Sequence, residues 1–88
     1  MKQEFGEGLD NTMSSKIQAL IEQALIYKGD NMVDNAEYIR DKLTSGFWPV
    51  LITNVGSRFY GYGYESKNKE YAILENYGIM KWGYIIFR

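Results

Sequence analysis

The chain has 88 residues, neither cysteine nor histidine, and a formal net charge of −1. That length makes one domain with a single small core, burying roughly 60–65% of the surface that the unfolded chain exposes. The composition excludes a disulfide framework and a thiolate metal site, removes the commonest general base, and argues against a general phosphate-neutralising nucleic-acid binder.

No apolar run approaches the roughly 18–20 residues needed to span a bilayer. The opening Met-Lys-Gln-Glu-Phe-Gly-Glu-Gly also lacks the apolar segment of a secretory signal, so a soluble cytoplasmic protein is expected. Residues 1–11 are polar, contain glycine and show no periodicity, which reads as a flexible tail ahead of a domain over 12–88. From Met13 the apolar residues Ile17, Leu20, Ile21, Ala24 and Leu25 recur at helical spacing. Asp10, Asn11 and Thr12 offer capping oxygens ahead of that helix, and Gly29 suits the position just past its end. Asp30 or Asn31 can cap a second helix with the stripe Met32, Ala36, Ile39 and Leu43, flanked by Val33 and Tyr38. The short Gly29-Asp30-Asn31 connection implies an antiparallel helical hairpin.

After Gly46 the character turns to strand. Phe47–Val55 is rich in bulky and β-branched residues, and its Pro49 suits the start of a strand but not a central position. Further strands are expected at Phe59–Glu65, Glu70–Leu74 and Ile79–Arg88, separated by turns at Gly56-Ser57, Ser66–Lys69 and Glu75–Gly78. Two helices followed by four strands give an α+β domain, its antiparallel sheet carrying the helices on one side.

Candidates for chemistry are few. Asp34, Glu37 and Asp41 share a helix with Arg40 and Lys42, which a solvated, self-compensated face explains better than a catalytic pair. Glu65, Glu70 and Glu75 flank turns, and Gly61-Tyr62-Gly63 lies within a strand rather than in a phosphate-cradling loop. The residues make no case for an enzyme, a metal or a cofactor.

Binding is the better reading. In the strand Arg58-Phe59-Tyr60-Gly61-Tyr62-Gly63-Tyr64-Glu65, alternation puts Tyr60, Tyr62 and Tyr64 on one face and leaves the other bare at two glycines. Glycine within a strand often marks close approach of another backbone or a ligand. One use of such a strand is β-augmentation, in which an extended peptide joins a sheet edge. The alternative is a small single-stranded RNA-binding domain stacking bases on Tyr60, Tyr62 and Tyr64, since the segment partly resembles the ribonucleoprotein strand motif. That motif is met poorly at Phe59 and Glu65, and its fold opens with a strand rather than two helices.

The arrangement resembles the eight-kilodalton dynein light chain family. That family's segment Asn-Pro-Thr-Trp-His-Cys-Ile-Val-Gly-Arg-Asn-Phe-Gly-Ser-Tyr-Val-Thr-His-Glu, laid without a gap from Trp48, matches Pro49, Val55-Gly56, Phe59 and Tyr62. The register extends back to Asp34 and Ile39. The family's ending Ala-Ile-Leu-Leu-Phe-Lys is similar to Gly83-Tyr84-Ile85-Ile86-Phe87-Arg88 after a short insertion near Asn76–Lys81. The resemblance implies a homodimer in which each subunit lends Phe59–Glu65 to its partner's sheet, with Leu51, Ile52, Arg58, Phe59 and Tyr62 at the interface. It further implies a peptide groove lined by Phe59, Tyr60, Gly61, Tyr62, Gly63 and Tyr64, walled by Met32 and Val33. The implied partners are a second copy and linear segments of dynein intermediate chain or other disordered proteins, not a membrane or nucleic acid. The implied setting is the cytoplasm, cytoskeleton or axoneme, including the cilium, as a motor subunit or a dimerisation hub.

The departures from the family shape two expectations. Its Gly-Ser after the phenylalanine is Tyr60-Gly61, and the Glu-Lys opening its second helix is Met32-Val33, so a more apolar motif than the family's Thr-Gln-Thr type is expected. Its Trp-His-Cys is Leu51-Ile52-Thr53, so a dimer here lacks histidine-driven dissociation between about pH 7 and pH 5.

Overall fold

A computed structural model describes residues 2–54 and 68–88. Within them the chain forms β1 (Lys2–Phe5), α1 (Asn11–Lys28), α2 (Met32–Lys42), β2 (Val50–Thr53), β3 (Tyr71–Tyr77) and β4 (Trp82–Phe87). The strands make one antiparallel sheet in the order β1-β3-β4-β2.

Local chemistry sets both helices. The Asp10 carboxylate accepts the Met13 N–H at 2.7 Å, satisfying a donor that the first turn of α1 leaves open. Gly29, at φ +66°, closes the helix with its N–H donated to the Leu25 carbonyl at 3.1 Å. The expected stripe is the buried one: Ile17, Leu20, Ile21, Ala24 and Leu25. Asn31 caps α2 by accepting the Asp34 N–H at 2.9 Å, and Ile39 and Leu43 face the core.

One buried position of α2 is absent from the expected stripe. Asn35 is 0% exposed, and its Nδ2 donates to the carbonyls of Gly29 at 3.0 Å and Asn31 at 2.8 Å. The side chain therefore ties the interhelical connection to the first turn of α2. That turn carries Met32 and Val33.

The sheet has two apolar faces. Ala72, Leu74, Tyr84 and Ile86 pack with the buried faces of α1 and α2, and Phe5, Val50 and Ile52 join them from the edge strands. Tyr71, Ile73 and Ile85 form a second buried cluster with Phe87, on the opposite face by strand alternation. Both central strands are buried on both faces, which explains why their sequences read as nearly continuous apolar runs.

Several sequence expectations need correction. The opening residues are not simply a tail: Lys2–Phe5 pairs with β3 in the register Lys2↔Glu75 to Phe5↔Ala72. The pairing runs on as a backbone zipper, with the N–H groups of Gly6 and Gly8 donating to the carbonyls of Tyr71 and Lys69 at 2.8 and 3.0 Å. A Cβ on Gly6 would stand 1.9 Å from the Lys69 oxygen, so these glycines serve close backbone approach rather than looseness. The strand expected over Phe47–Val55 begins only at Val50 and lies at the sheet edge, where a preceding Pro49 is tolerated. β3 continues through the expected Glu75–Gly78 turn to Tyr77 by a register shift after Leu74, and β4 starts at Trp82. The strand expected at Phe59–Glu65 lies outside the described residues.

Tyr84 is fully buried, yet its hydroxyl has no hydrogen-bond partner among the described groups. Burial, reinforced by the neighbouring Tyr77, pushes its pKa from 10.0 up to about 12. An unpaired buried hydroxyl leaves about 1–3 kcal/mol of desolvation uncompensated. Tyr84→Phe is therefore expected to match or exceed the native chain in denaturant midpoint at neutral pH. Above pH 10 the unfolded state releases this proton before the folded state does, so native stability falls as pH rises towards 12. The phenylalanine variant should lose that part of the fall. A variant clearly less stable at neutral pH in urea denaturation would contradict this account.

Candidate functional site

The segment joining α2 to β2 is held by one large anchor. Trp48 is 1% exposed, its indole N–H donates to the Ser45 hydroxyl at 3.4 Å, and the Arg88 guanidinium lies 4.7 Å above its ring. Arg88 also donates to the Ser45 carbonyl and pairs with the Glu70 carboxylate. The C-terminal end of the sheet thus fixes the chain just before β2. With Trp48 turned inward, the adjacent Phe47 is left 63% exposed and Pro49 leads into the edge strand.

Between α2 and β2 runs a cleft of about 450 Å³. Met32, Val33 and Ala36 form its helix wall, and Phe47, Pro49, Val50, Leu51 and Ile52 line the other side. Glu37 and Arg40 are its charged residues, one of each sign. Val33 is 65% exposed and Leu51 40%, so with Phe47 three large apolar residues around one cleft remain in water. Scattered exposed apolar side chains need no explanation, whereas a concentration along a groove marks an interaction surface. β2 hydrogen-bonds to β4 on one side, and no described residue pairs with its other side.

The sequence-derived site residues divide accordingly. Met32 and Val33 stand together on the cleft wall. Leu51 and Ile52 lie on β2, with Ile52 in the cluster beneath the helices and Leu51 on the opposite face. Arg58, Phe59, Tyr60, Gly61, Tyr62, Gly63 and Tyr64 lie outside the described residues. Sequence reasoning missed Phe47, Pro49, Val50, Ala36, Glu37 and Arg40 as cleft residues. A signal existed for Ala36, the small member of its stripe, but none locates Phe47, whose exposure depends on the burial of Trp48.

The remaining polar surface is a solvated one. Arg40 meets Asp41 at 3.3 Å with both side chains about half exposed or more, and Lys42 lies 5.6 Å over the Tyr38 ring. Tyr38 in turn approaches Tyr27 at 5.8 Å between ring centres and donates to the Gln23 amide oxygen at 3.3 Å. These contacts dress the outside of the helical hairpin. Among the described residues no three histidine, cysteine, aspartate or glutamate side chains come together to hold a metal ion, and no helix is long and apolar enough to cross a membrane.

The base-stacking alternative does not fit this architecture. Stacking bases on a sheet requires a solvent-open aromatic face on its strands. Here the face away from the helices is closed at its centre, with Tyr71 6%, Ile73 2% and Ile85 0% exposed. In comparisons with protein-family models and with curated proteins, the chain matched none.

Proposed function

We propose that this chain is a non-enzymatic adaptor that takes extended segments of partner proteins by strand addition, assembled as a homodimer in the manner of a dynein light chain. The apolar cleft along the outer side of β2 carries this reading. Unpaired backbone groups on an edge strand give an added strand its hydrogen bonds, and an apolar wall beside them receives its alternate side chains. Met32 and Val33, on the helix side of this cleft, are two of the residues that the resemblance assigns to the groove; the others, Phe59, Tyr60, Gly61, Tyr62, Gly63 and Tyr64, lie outside the described residues.

In the dimeric form each subunit lends residues 59–65 to its partner's sheet, and two grooves then act on a bivalent partner. Bivalency raises useful strength without new contacts, because the second linked event is intramolecular. The partner class is a linear segment of a disordered protein, such as a dynein intermediate chain, met in the cytoplasm or along the cytoskeleton or axoneme. No cofactor enters the reading.

Sedimentation equilibrium at micromolar concentration tests the assembly. The expected particle has twice the 10.2 kDa chain mass at neutral pH and keeps it down to about pH 5, since no histidine is present to charge. A monomer at neutral pH would remove the lent-strand dimer. A sharp dissociation midpoint near pH 6 would contradict the histidine argument and place the switch on carboxylates.

A further inference from the structure

We propose that Arg88, the residue that follows β4, is a positioning residue of the cleft: its guanidinium sets the place of Phe47 in the cleft wall. Arg88 is not among the described residues that line the cleft, so it acts through Phe47 alone. This rests on the reading that the cleft takes extended segments, and it concerns the wall rather than the edge of β2.

Backbone bonds fix the root of the side chain. The Arg88 N–H donates to the Glu70 carbonyl at 2.9 Å, and the Phe87 N–H donates to the Pro49 carbonyl at 3.2 Å. Arg88 is thereby held between the residue before β3 and the residue before β2. From there the guanidinium makes three contacts. It lies 4.7 Å from the centre of the Trp48 ring, donates to the Ser45 carbonyl through Nη1, and pairs with the Glu70 carboxylate through Nη2. A planar fork with five donors serves all three partners together, whereas an ammonium is a point charge. The Glu70 side chain is only 16% exposed, so this pair is less open to water than Arg40–Asp41 on the helical hairpin.

The connection before β2 is shaped to receive this side chain. Gly46 has φ +122°, a conformation that side chains disfavour, and a Cβ there would stand 3.0 Å from Arg88 Nη1 and 3.2 Å from its Cδ. Ser45 also accepts the Trp48 indole N–H, which closes the turn on itself. Ser45, Gly46 and Trp48 therefore meet Arg88, and Pro49 meets Phe87. Phe47 is held from both sides through its neighbours while its own ring stands in the cleft wall. A ring so exposed has little packing of its own, so its position is inherited from the backbone. Apparent affinity scales with the fraction of time that the binding-competent arrangement is present. Loosening the grip of Arg88 thus lowers capture without removing any contact to the captured segment.

Fluorescence anisotropy with the full chain and a labelled peptide of alternating valine and threonine, run as a double-mutant cycle, tests the inference. Arg88→Gln should weaken capture about fivefold, the scale of one partly exposed cation–π contact. In the Phe47→Ala background the same change should alter affinity by less than about twofold, because residues that act through one another are not additive. Without peptide, the Trp48 indole N–H should exchange with solvent faster in Arg88→Gln, by a larger factor than the core amides of α1, which report global unfolding. Should Arg88→Gln fold poorly in a thermal melt, Arg88→Lys carries the same cycle, since a point charge keeps the pairing with Glu70 but not the shared grip on Trp48 and Ser45. An equal loss in both backgrounds would make Arg88 a staple of the sheet end and overturn the inference while strand addition stands. Unchanged capture, or indole exchange raised no more than that of α1, overturns it in the same way. A native chain that leaves the peptide unbound overturns strand addition and this role of Arg88 together.

Discussion

Asn35→Asp is expected to cost the domain about 3–5 kcal/mol at pH 7, the range for an uncompensated buried charge. An 88-residue chain has roughly 4–13 kcal/mol of total stability, so this single atom exchange should bring it close to unfolding. The native amide is fully buried and donates to two carbonyl oxygens, those of Gly29 and Asn31. A carboxylate in its place removes both donors and sets negative charge against two oxygens that it can only repel. The Oδ1 of Asn35 has no partner among the described residues, so none of them absorbs the added charge on that side.

The effect carries a pH signature. Burial raises the folded-state pKa of such an aspartate above its unfolded value of about 3.9, so between these values the folded state binds more protons. Stability of the variant should therefore rise as pH falls from neutral towards 4, opposite to a paired surface aspartate. Equilibrium denaturation of Asn35→Asp and Asn35→Ala at pH 7 and pH 4.5 separates lost hydrogen bonds from buried charge. If the aspartate variant is as stable as the alanine variant at both pH values, the buried-charge account is wrong. Because Asn35 holds the connection ahead of Met32 and Val33, the alanine variant should also weaken peptide capture while it still folds.

Val33→Glu should instead reduce capture of apolar extended peptides by tenfold or more while leaving the fold intact. Val33 is 65% exposed in the free chain, so the change removes little core packing, and it lies in the first turn of α2, where a negative charge is mildly favourable. In the proposed complex the same position meets an apolar side chain. Losing burial of a valine costs about 1.5–3 kcal/mol, and about 1.4 kcal/mol is a factor of ten in affinity. Anisotropy titration with a labelled extended peptide of alternating valine and threonine, paired with a thermal melt, reads both halves of the prediction. An unchanged affinity with an unchanged melt would move the binding surface away from α2.

The two variants probe residues that the sequence revealed unequally. Met32 and Val33, which line the cleft, are singled out only through the family resemblance. Asn35 could not, because an asparagine at a core position of an apolar stripe looks like a surface residue until its two carbonyl partners are located. Its partners are only four and six residues away, yet both lie in a connection whose path the helical pattern does not specify. Phe47 and Trp48 show the same limit. Both read as strand residues, and the contacts of Arg88 and Ser45 with Trp48 accompany its burial while Phe47 faces the cleft.

The helices were legible because their information is local. Hydrogen bonds four residues apart, a stripe at Ile17, Leu20, Ile21, Ala24 and Leu25, and the caps Asp10, Asn31 and Gly29 are all written within a few positions of where they act. The α+β class and the existence of β2, β3 and β4 followed from composition after Gly46, although their ends did not. What the tertiary structure alone decided was which strands meet. Lys2–Phe5 has weak strand character, and its ladder to β3 reaches across some 70 residues. The order β1-β3-β4-β2 leaves β2 at the edge, and its register with β4 turns the backbone of Val50 and Ile52 outward beside α2. A strand's partners lie far away in sequence, so its periodicity shows which side chains share a face but not which edge remains to bind.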